Sequence, residues 1–435
     1  MHLTERALKA IWYPCTPPRD YQQLPLLSIK SARGSYLELE NGDKIIDAIS
    51  SWWCKSLGHN HPHLQQALMK QAAQFEHVMP AHTTYETITR LAERLGQLTP
   101  NLNKVFFASD GSSAVEIALK MSLHLRYLWG EKKRQHFMAL SNDYHGETGL
   151  ALAVSDLGLF RDPYAHILPA VEFIQHIPYV QHCTDPLWND CASYWPTIET
   201  QLNQKADTLS AIIVEPILQG AGNMRIYSMD LLRRLRAWCT AHHVHFIADE
   251  ILTGIGRTGC ALACDHAGIE PDFLCLGKGL TSGWLPMSAV LTSAQTYAHF
   301  YEADIDKTFV HSHTHTGNAL TAAVALATLE VIETEHIYQR SAALEPILWQ
   351  FMHEVASATG KLQNIRGIGA MVAADLIGDP TQRLGIQIQQ KAIPLGALLR
   401  PLGNTLYWLP PLNIDLVTLK KLRDITIEAI QAAIS

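Results

Sequence analysis

No CxxC pair occurs among the eight cysteines of this 435-residue sequence, Cys15, Cys54, Cys183, Cys191, Cys239, Cys260, Cys264 and Cys275. Several lie inside apolar segments, which speaks against a disulfide framework or a zinc ribbon and for reduced core thiols. No apolar run approaches the roughly 18 residues of a membrane helix. Lysine and arginine form no block, and the net charge is −7, so neither nucleic acid nor a membrane surface is an expected partner. The opening segment from Met1 to Lys9 carries charge every few residues and lacks the apolar core of a secretory signal, so a cytoplasmic location is expected. There is no internal repeat and no low-complexity linker. The 22 histidines cluster in His59-Asn60-His61-Pro62-His63, His242-His243-Val244-His245 and His311-Ser312-His313-Thr314-His315. None of these has a second ligand set at a recognised spacing, and no metal is expected.

What is present is a hydrophobic content of 47%, enough for a large core divided into at least two lobes. Two short apolar runs end in charge followed by glycine. Val244-His245-Phe246-Ile247 leads into Ala248-Asp249-Glu250-Ile251-Leu252-Thr253-Gly254, and Phe273-Leu274-Cys275-Leu276 leads into Gly277-Lys278-Gly279. Buried parallel strands look like this where they deliver side chains to a site at their carboxyl ends. An acid and a lysine brought to one sheet edge suit pyridoxal phosphate: Lys278 would carry the aldehyde carbon of the cofactor, and Asp249 would keep its ring nitrogen protonated so that the ring accepts electrons. The plainer alternative is a solvated loop at Asp249 and a surface charge at Lys278.

Around this pair the pattern is orderly. Residues 1–60 predict an N-terminal flap and hairpin belonging to a small domain: Pro14, Pro17 and Pro18 stop an early helix, and Tyr36–Leu39 and Lys44–Asp47 flank the turn Asn41-Gly42-Asp43. Residues 61–325 alternate helix with strand, at Val105–Ala108, His136–Leu140, Ala211–Val214, His245–Ala248, Phe273–Leu276 and Ser288–Leu291. That predicts a large, mostly parallel α/β domain. Residues 326–435, after a long helix starting near Ala319, predict a smaller α+β domain ending in an amphipathic helix. The segment Ser109-Asp110-Gly111-Ser112-Ser113 follows a strand and opens a helix, which suits a phosphate as well as a plain N-cap.

In this order the pieces resemble the class III (omega) aminotransferases of fold type I, from Trp12 to the final helix; the stretch Phe246–Gly259 through Lys278 is highly specific for that class. The resemblance implies pyridoxal phosphate on Lys278 with Asp249 at the ring nitrogen, phosphate on Gly111 and Ser112, and Tyr144 stacked on the ring. It implies that His313 and Thr314 approach the cofactor, Thr314 from the partner subunit, and hence a homodimer with shared sites. Segments Ile49-Ser50-Ser51-Trp52-Trp53, Gly58–Pro62, Tyr144–Thr148 and Leu399-Arg400-Pro401-Leu402-Gly403 narrow the likeness to the branch that aminates 8-amino-7-oxononanoate in biotin biosynthesis, with S-adenosylmethionine as the usual donor. Trp52 and Trp53 would then wall an apolar tunnel, Arg400 and Arg257 would offer guanidinium forks to carboxylates, and Ser312 would border the substrate. Core tryptophans and surface arginines are the bland alternatives.

The sequence departs from the pattern in three places. Cys15 stands where many relatives have a substrate-touching tyrosine, leaving Tyr13 and Tyr21 as alternatives for that role. Glu147 replaces a more usual aspartate. Ser312-His313 replaces the Gly-Pro of several S-adenosylmethionine-using relatives and leaves lysine open as the donor. Another omega-amino-acid transaminase, or an aminomutase of the glutamate-semialdehyde type, remain the rival activities.

Overall fold

The structure is a computed structural model and describes residues 2–434. Its centre is a seven-stranded sheet, with strands numbered here in chain order: β1 Lys104–Ala108, β2 His136–Leu140, β3 Glu172–Ile174, β4 Leu209–Val214, β5 His245–Asp249, β6 Phe273–Leu276 and β7 Ser288–Thr292. Their order across the sheet is β1-β7-β6-β5-β4-β2-β3. All neighbours run parallel except β7, which is antiparallel to both β6 and β1. Every residue of β4, β6 and β7 is buried. That accounts for their near-continuous Leu, Ile, Val, Phe and Ala content, because helices cover both faces of a parallel sheet. The six expected strands lie where the sequence puts them; β3, only three residues long, is an edge strand that no apolar run announces.

Helix α1, Gly111–Leu128, follows β1 directly and buries Val115, Ile117, Ala118, Leu119 and Met121 against the sheet. Asp110 caps it by accepting from the Ser113 amide at 2.9 Å. Helix α2, Ala319–Thr334, is apolar nearly all round and correspondingly buried, lying against the helices Pro62–Ala72 and Glu86–Gly96. Helix α3, Ile337–Thr359, leads to an antiparallel sheet of Leu362–Ile368, Met371–Leu376 and Thr405–Trp408, and the last helix, Leu416–Ile434, packs on α3. Among the described residues no helix is long and apolar enough to cross a membrane.

The expected hairpin is present, Tyr36 pairing with Ile46. Its inner strand, Lys44–Asp47, also pairs in parallel with Ala397–Leu398, Asp47 opposite Leu398. A segment from near the start of the chain thus shares a sheet with one from near its end. Both strands run straight into segments of interest, Ser50–Trp53 and Arg400.

A second close contact fixes how the C-terminal sheet meets the β5 loop. Gly369 has φ +52°, and a Cβ there would stand 2.3 Å from the Thr258 carbonyl carbon and 2.4 Å from the Gly259 nitrogen. Those neighbours are backbone and cannot rotate away. Gly360, just past α3, has φ +62° but open space around it. Gly360→Ala should therefore lose only the left-handed penalty of about 1–2 kcal/mol. Gly369→Ala should lower the apparent melting temperature by clearly more; equal losses in the two variants would show that the Gly369 contact is not tight.

Candidate active site

Four adjacent strands deliver charge to one edge of the sheet. Lys278 comes two residues after β6, Asp249 ends β5, Glu215 directly follows β4 and Asp143 lies just beyond β2. Because these strands are parallel and paired, with Asp249 opposite Cys275, their carboxyl ends are neighbours. Lys278 sits in a left-handed backbone conformation, φ 39°, uncommon for a residue with a side chain and a mark of a constrained position.

The acids are organised around a histidine. His145 Nδ1 lies 2.8 Å from Asp249 Oδ2, and its Nε2 lies 3.5 Å from Asp143 Oδ2, all three side chains being buried. Burial alone would hold His145 neutral, but the Asp143 carboxyl beside it and the hydrogen bond to Asp249 raise it to about 10. It is an imidazolium between two carboxylates. Asp249 Oδ1 also accepts from the Ile251 amide at 3.1 Å. Asp143 accepts from Gln219 Nε2 at 2.6 Å. Glu215 accepts from the Tyr144 amide at 2.8 Å and the Gly220 amide at 3.0 Å. Burial, reinforced by the Asp143 charge, pushes Glu215 up to about 8, so it is predominantly protonated at neutral pH. Burial lowers the Lys278 amine, with Asp249 and Glu215 pulling the other way.

The phosphate-like end is built from α1 and the loop after Asp143. Ser112 Oγ accepts from the Glu147 amide at 3.3 Å. Gly146, at φ +129°, passes so close that a Cβ there would stand 2.1 Å from Ser112 Oγ. A Cβ on Gly111 would meet the Ile251 side chain at 3.0 Å. Two glycines therefore keep the floor of the helix N-terminus free of side chains. This donor set fits the expected pyridoxal phosphate: an amine, a carboxylate backed by an imidazolium, and first-turn amides with a serine hydroxyl at a positive helix end.

The mouth gathers most of the expected substrate residues. Asp47, buried, bonds His59 Nε2 at 2.8 Å, the Ser51 amide at 2.9 Å and the Ser51 hydroxyl at 2.8 Å. It thereby holds a turn in which Ser50, Ser51 and Trp53 all have positive φ. Burial would raise Asp47, but the His59 and Ser51 bonds outweigh it and lower it. The turn aims the two tryptophans differently. Trp53 is buried, donates to Tyr407 Oη at 2.9 Å and has Lys278 Nζ 5.1 Å from its ring centre. Trp52 is 43% exposed and carries Arg400 over its ring at 4.5 Å. Arg400 has no ion pair with a carboxylate of the described residues. Tyr144 donates to Glu147 Oε1 at 2.9 Å. Burial first, then the charges of Glu147 and Cys15, raise its hydroxyl. Cys15, exposed and at φ 50°, is raised by partial burial and by Glu147 and lowered by Arg400, so it borders the same opening. Tyr13 packs edge-on against Tyr21.

Two groups stand apart. Arg257 is buried and donates through Nη1 to the carbonyls of Ala370 at 2.9 Å and Pro410 at 2.7 Å. Burial lowers it to about 9. It is a strut between the β5 loop and the C-terminal sheet and is not paired with Arg400. Ser312, His313 and Thr314 lie on a segment whose contacts run elsewhere: His313 to His311 at 3.2 Å, His311 to Lys120 at 2.9 Å, and the Thr314 carbonyl to His77 at 2.8 Å. Within one chain they do not join Lys278. Sequence reasoning passed over Asp143, His145 and Glu215. Glu215 carries the same signal as Asp249, an acid closing a buried apolar run.

A family model described as aminotransferase class-III matches residues 17–434. The adenosylmethionine-8-amino-7-oxononanoate aminotransferase of Helicobacter pylori is 38% identical over 419 residues, covering 95% of this chain and 94% of its own. That of Synechococcus elongatus is 38% identical over 412 residues, 92% and 93% of the two chains. The crystal structure of the Methanocaldococcus jannaschii enzyme of the same name superposes with a TM-score of 0.89 at 31% identity, over 99% of this chain and 98% of that one. An omega transaminase from Pseudomonas jessenii in complex with PMP superposes at 0.89 and 25% identity, over 100% and 98%. A lysine and a carboxylate at the ends of neighbouring parallel strands, a glycine-floored helix N-terminus and a match along nearly the whole chain have one explanation: this chain belongs to the class III aminotransferases, pyridoxal-phosphate-dependent transferases of fold type I.

Proposed function

We propose that the chain transfers an amino group to 8-amino-7-oxononanoate, giving 7,8-diaminononanoate in biotin biosynthesis, with S-adenosylmethionine as the donor. The observation that carries the acceptor is Arg400: a guanidinium held over exposed Trp52 and without an acidic partner among the described residues. It suits an aliphatic chain that ends in a carboxylate. The donor follows the names of the relatives. Donor and acceptor react in turn at one site, the hallmark of a ping-pong sequence.

When bound, pyridoxal phosphate supplies an electron-accepting ring and the carbon that carries the amino group between donor and acceptor. In this reading Lys278 Nζ takes the proton leaving the amine-bearing carbon and returns it, burial favouring the neutral amine that a base must present. Asp249, held 2.8 Å from the His145 ring, would face the ring nitrogen and keep it protonated. Protonated Glu215 keeps a third negative charge away from Lys278. Tyr144 would lie over the ring, and Gly111 and Ser112 would hold the phosphate. We assign His313 and Thr314 to the site of a second copy, making the working enzyme a homodimer; exposed Ile305 and Val310 on the same segment support a covered surface. Eight free thiols support a reducing, cytoplasmic setting.

The test is a panel of amine donors with 8-amino-7-oxononanoate as acceptor, the diamine being the product measured. S-adenosylmethionine should sustain turnover and lysine should not. Lysine alone sustaining it would overturn the donor, and failure of every donor with this acceptor would overturn the acceptor.

Arg400→Ala should lower kcat/KM for the acid by about 1.5–3 kcal/mol, the worth of a charge-assisted pair, and leave the methyl ester nearly unaffected. Arg400→Lys should recover only part, since an ammonium cannot reproduce the fork. If wild type and Arg400→Ala discriminate acid from ester equally, the carboxylate binds elsewhere.

Glu215 gives a pH prediction. Its carboxyl is raised from an ordinary 4.5 to about 8, so folding opposes its ionisation. Its effect is absent below about 4.5, grows as pH rises towards about 8, and is constant above. Glu215→Gln should therefore gain stability over wild type across that window, read from apparent melting temperatures. Parallel profiles would mean that Glu215 is ionised at neutral pH.

A further inference from the structure

Away from this site, three potential metal ligands converge where the loop after the strand Tyr179–Val180 meets helix α3. His182 Nε2 is 3.1 Å from Glu345 Oε1, Cys183 Sγ is 3.6 Å from the same oxygen, and Sγ is 3.9 Å from His182 Nε2. Zinc bonds of about 2.0–2.1 Å to nitrogen and oxygen and 2.3 Å to sulfur imply tetrahedral edges of about 3.3–3.6 Å. The three separations approximate one face of such a tetrahedron, and the fourth corner is left for water.

The surroundings hold the ligands in place. Glu345 Oε2 accepts from the Gly369 amide at 2.6 Å, which leaves Oε1 available. The His182 ring rests on Trp349, their centres 4.5 Å apart, and its Nδ1 lies 3.1 Å from Thr184 Oγ1. Nδ1 is engaged by the Thr184 hydroxyl and, at 3.4 Å, by the Thr184 amide, and Nε2 is the nitrogen turned towards Glu345, where a metal would take it unprotonated. All three ligands are half-buried, so an ion could enter. A thiolate, an imidazole and a carboxylate together favour zinc over calcium or magnesium, which prefer oxygen alone.

We propose that His182, Cys183 and Glu345 form a zinc site that staples the 181–184 loop to helix α3 and, through Gly369, to the turn whose Ala370 carbonyl holds Arg257. Ligation displaces the Cys183 proton to water. The site lies outside the proposed transamination machinery, and no step of that reaction passes through it.

Cobalt is the probe, because tetrahedral Co²⁺ absorbs to the red of the cofactor and zinc bleaches those bands on displacing it. Titrating the holoenzyme should give one equivalent of tetrahedral cobalt per chain. The bands should vanish in both Cys183→Ser and His182→Asn and persist in Cys260→Ser, which alters the neighbouring thiol 3.9 Å from His266 Nδ1. Zinc should raise the apparent melting temperature of wild type but not of Cys183→Ser. No bands in wild type, bands undiminished in either ligand variant, or bands lost in Cys260→Ser would overturn the assignment. Zinc binding without a gain in melting temperature would overturn the staple.

Discussion

Charge compensation at the carboxyl edge of the sheet governs the rest of the structure. Strands β2, β4, β5 and β6 are neighbours and parallel, so Asp143, Glu215, Asp249 and Lys278 are forced together in a place where ionised groups are costly. With all three acids charged, Lys278 and His145 would leave an excess of negative charge. The imidazolium between Asp143 and Asp249, together with a proton on Glu215, removes most of that excess. Each compensation depends on a loop: His145 on the turn closed by Gly146, Glu215 on the amides of Tyr144 and Gly220, Lys278 on a left-handed backbone.

The parts that were legible in the sequence are those written locally. An all-apolar strand of four to six residues ending in charge identifies itself, and Asp249, Lys278 and the Gly111-Ser112 helix start were found in that way. Asp143 and Glu215 carried the same mark more faintly, because no glycine-flanked partner follows them. His145 could not be read, since its role exists only once two distant strands put carboxylates on either side of it. Arg257 shows how little a local pattern says about a side chain's partners. An arginine within a family signature suggests a ligand, yet its described hydrogen bonds go to two carbonyls brought from the C-terminal sheet.

The opening of the site depends on a different economy of forces. Arg400 is paired with an aromatic face instead of an acid, so it is positioned without its charge being neutralised. Cys15 adds little bulk where a tyrosine would fill space. Glu147 turns one oxygen to Tyr144 and its amide to Ser112, which ties the aromatic lid to the helix N-terminus. A small flap residue, a guanidinium paired with no carboxylate of the described residues and an aromatic floor meet at this opening.

The pairing of Lys44–Asp47 with Ala397–Leu398 has a consequence in time. On the ribosome the hairpin emerges with one strand edge unsatisfied, and the segment that covers it is made much later. Such an edge is open to foreign strands until then. Trp52 and Arg400 each follow one of these two strands, so their contact is assembled at the moment the exposed edge disappears. A nascent or truncated chain ending before Ala397 would carry Asp249 and Lys278 yet lack both the covering strand and the Arg400 guanidinium that rests on Trp52.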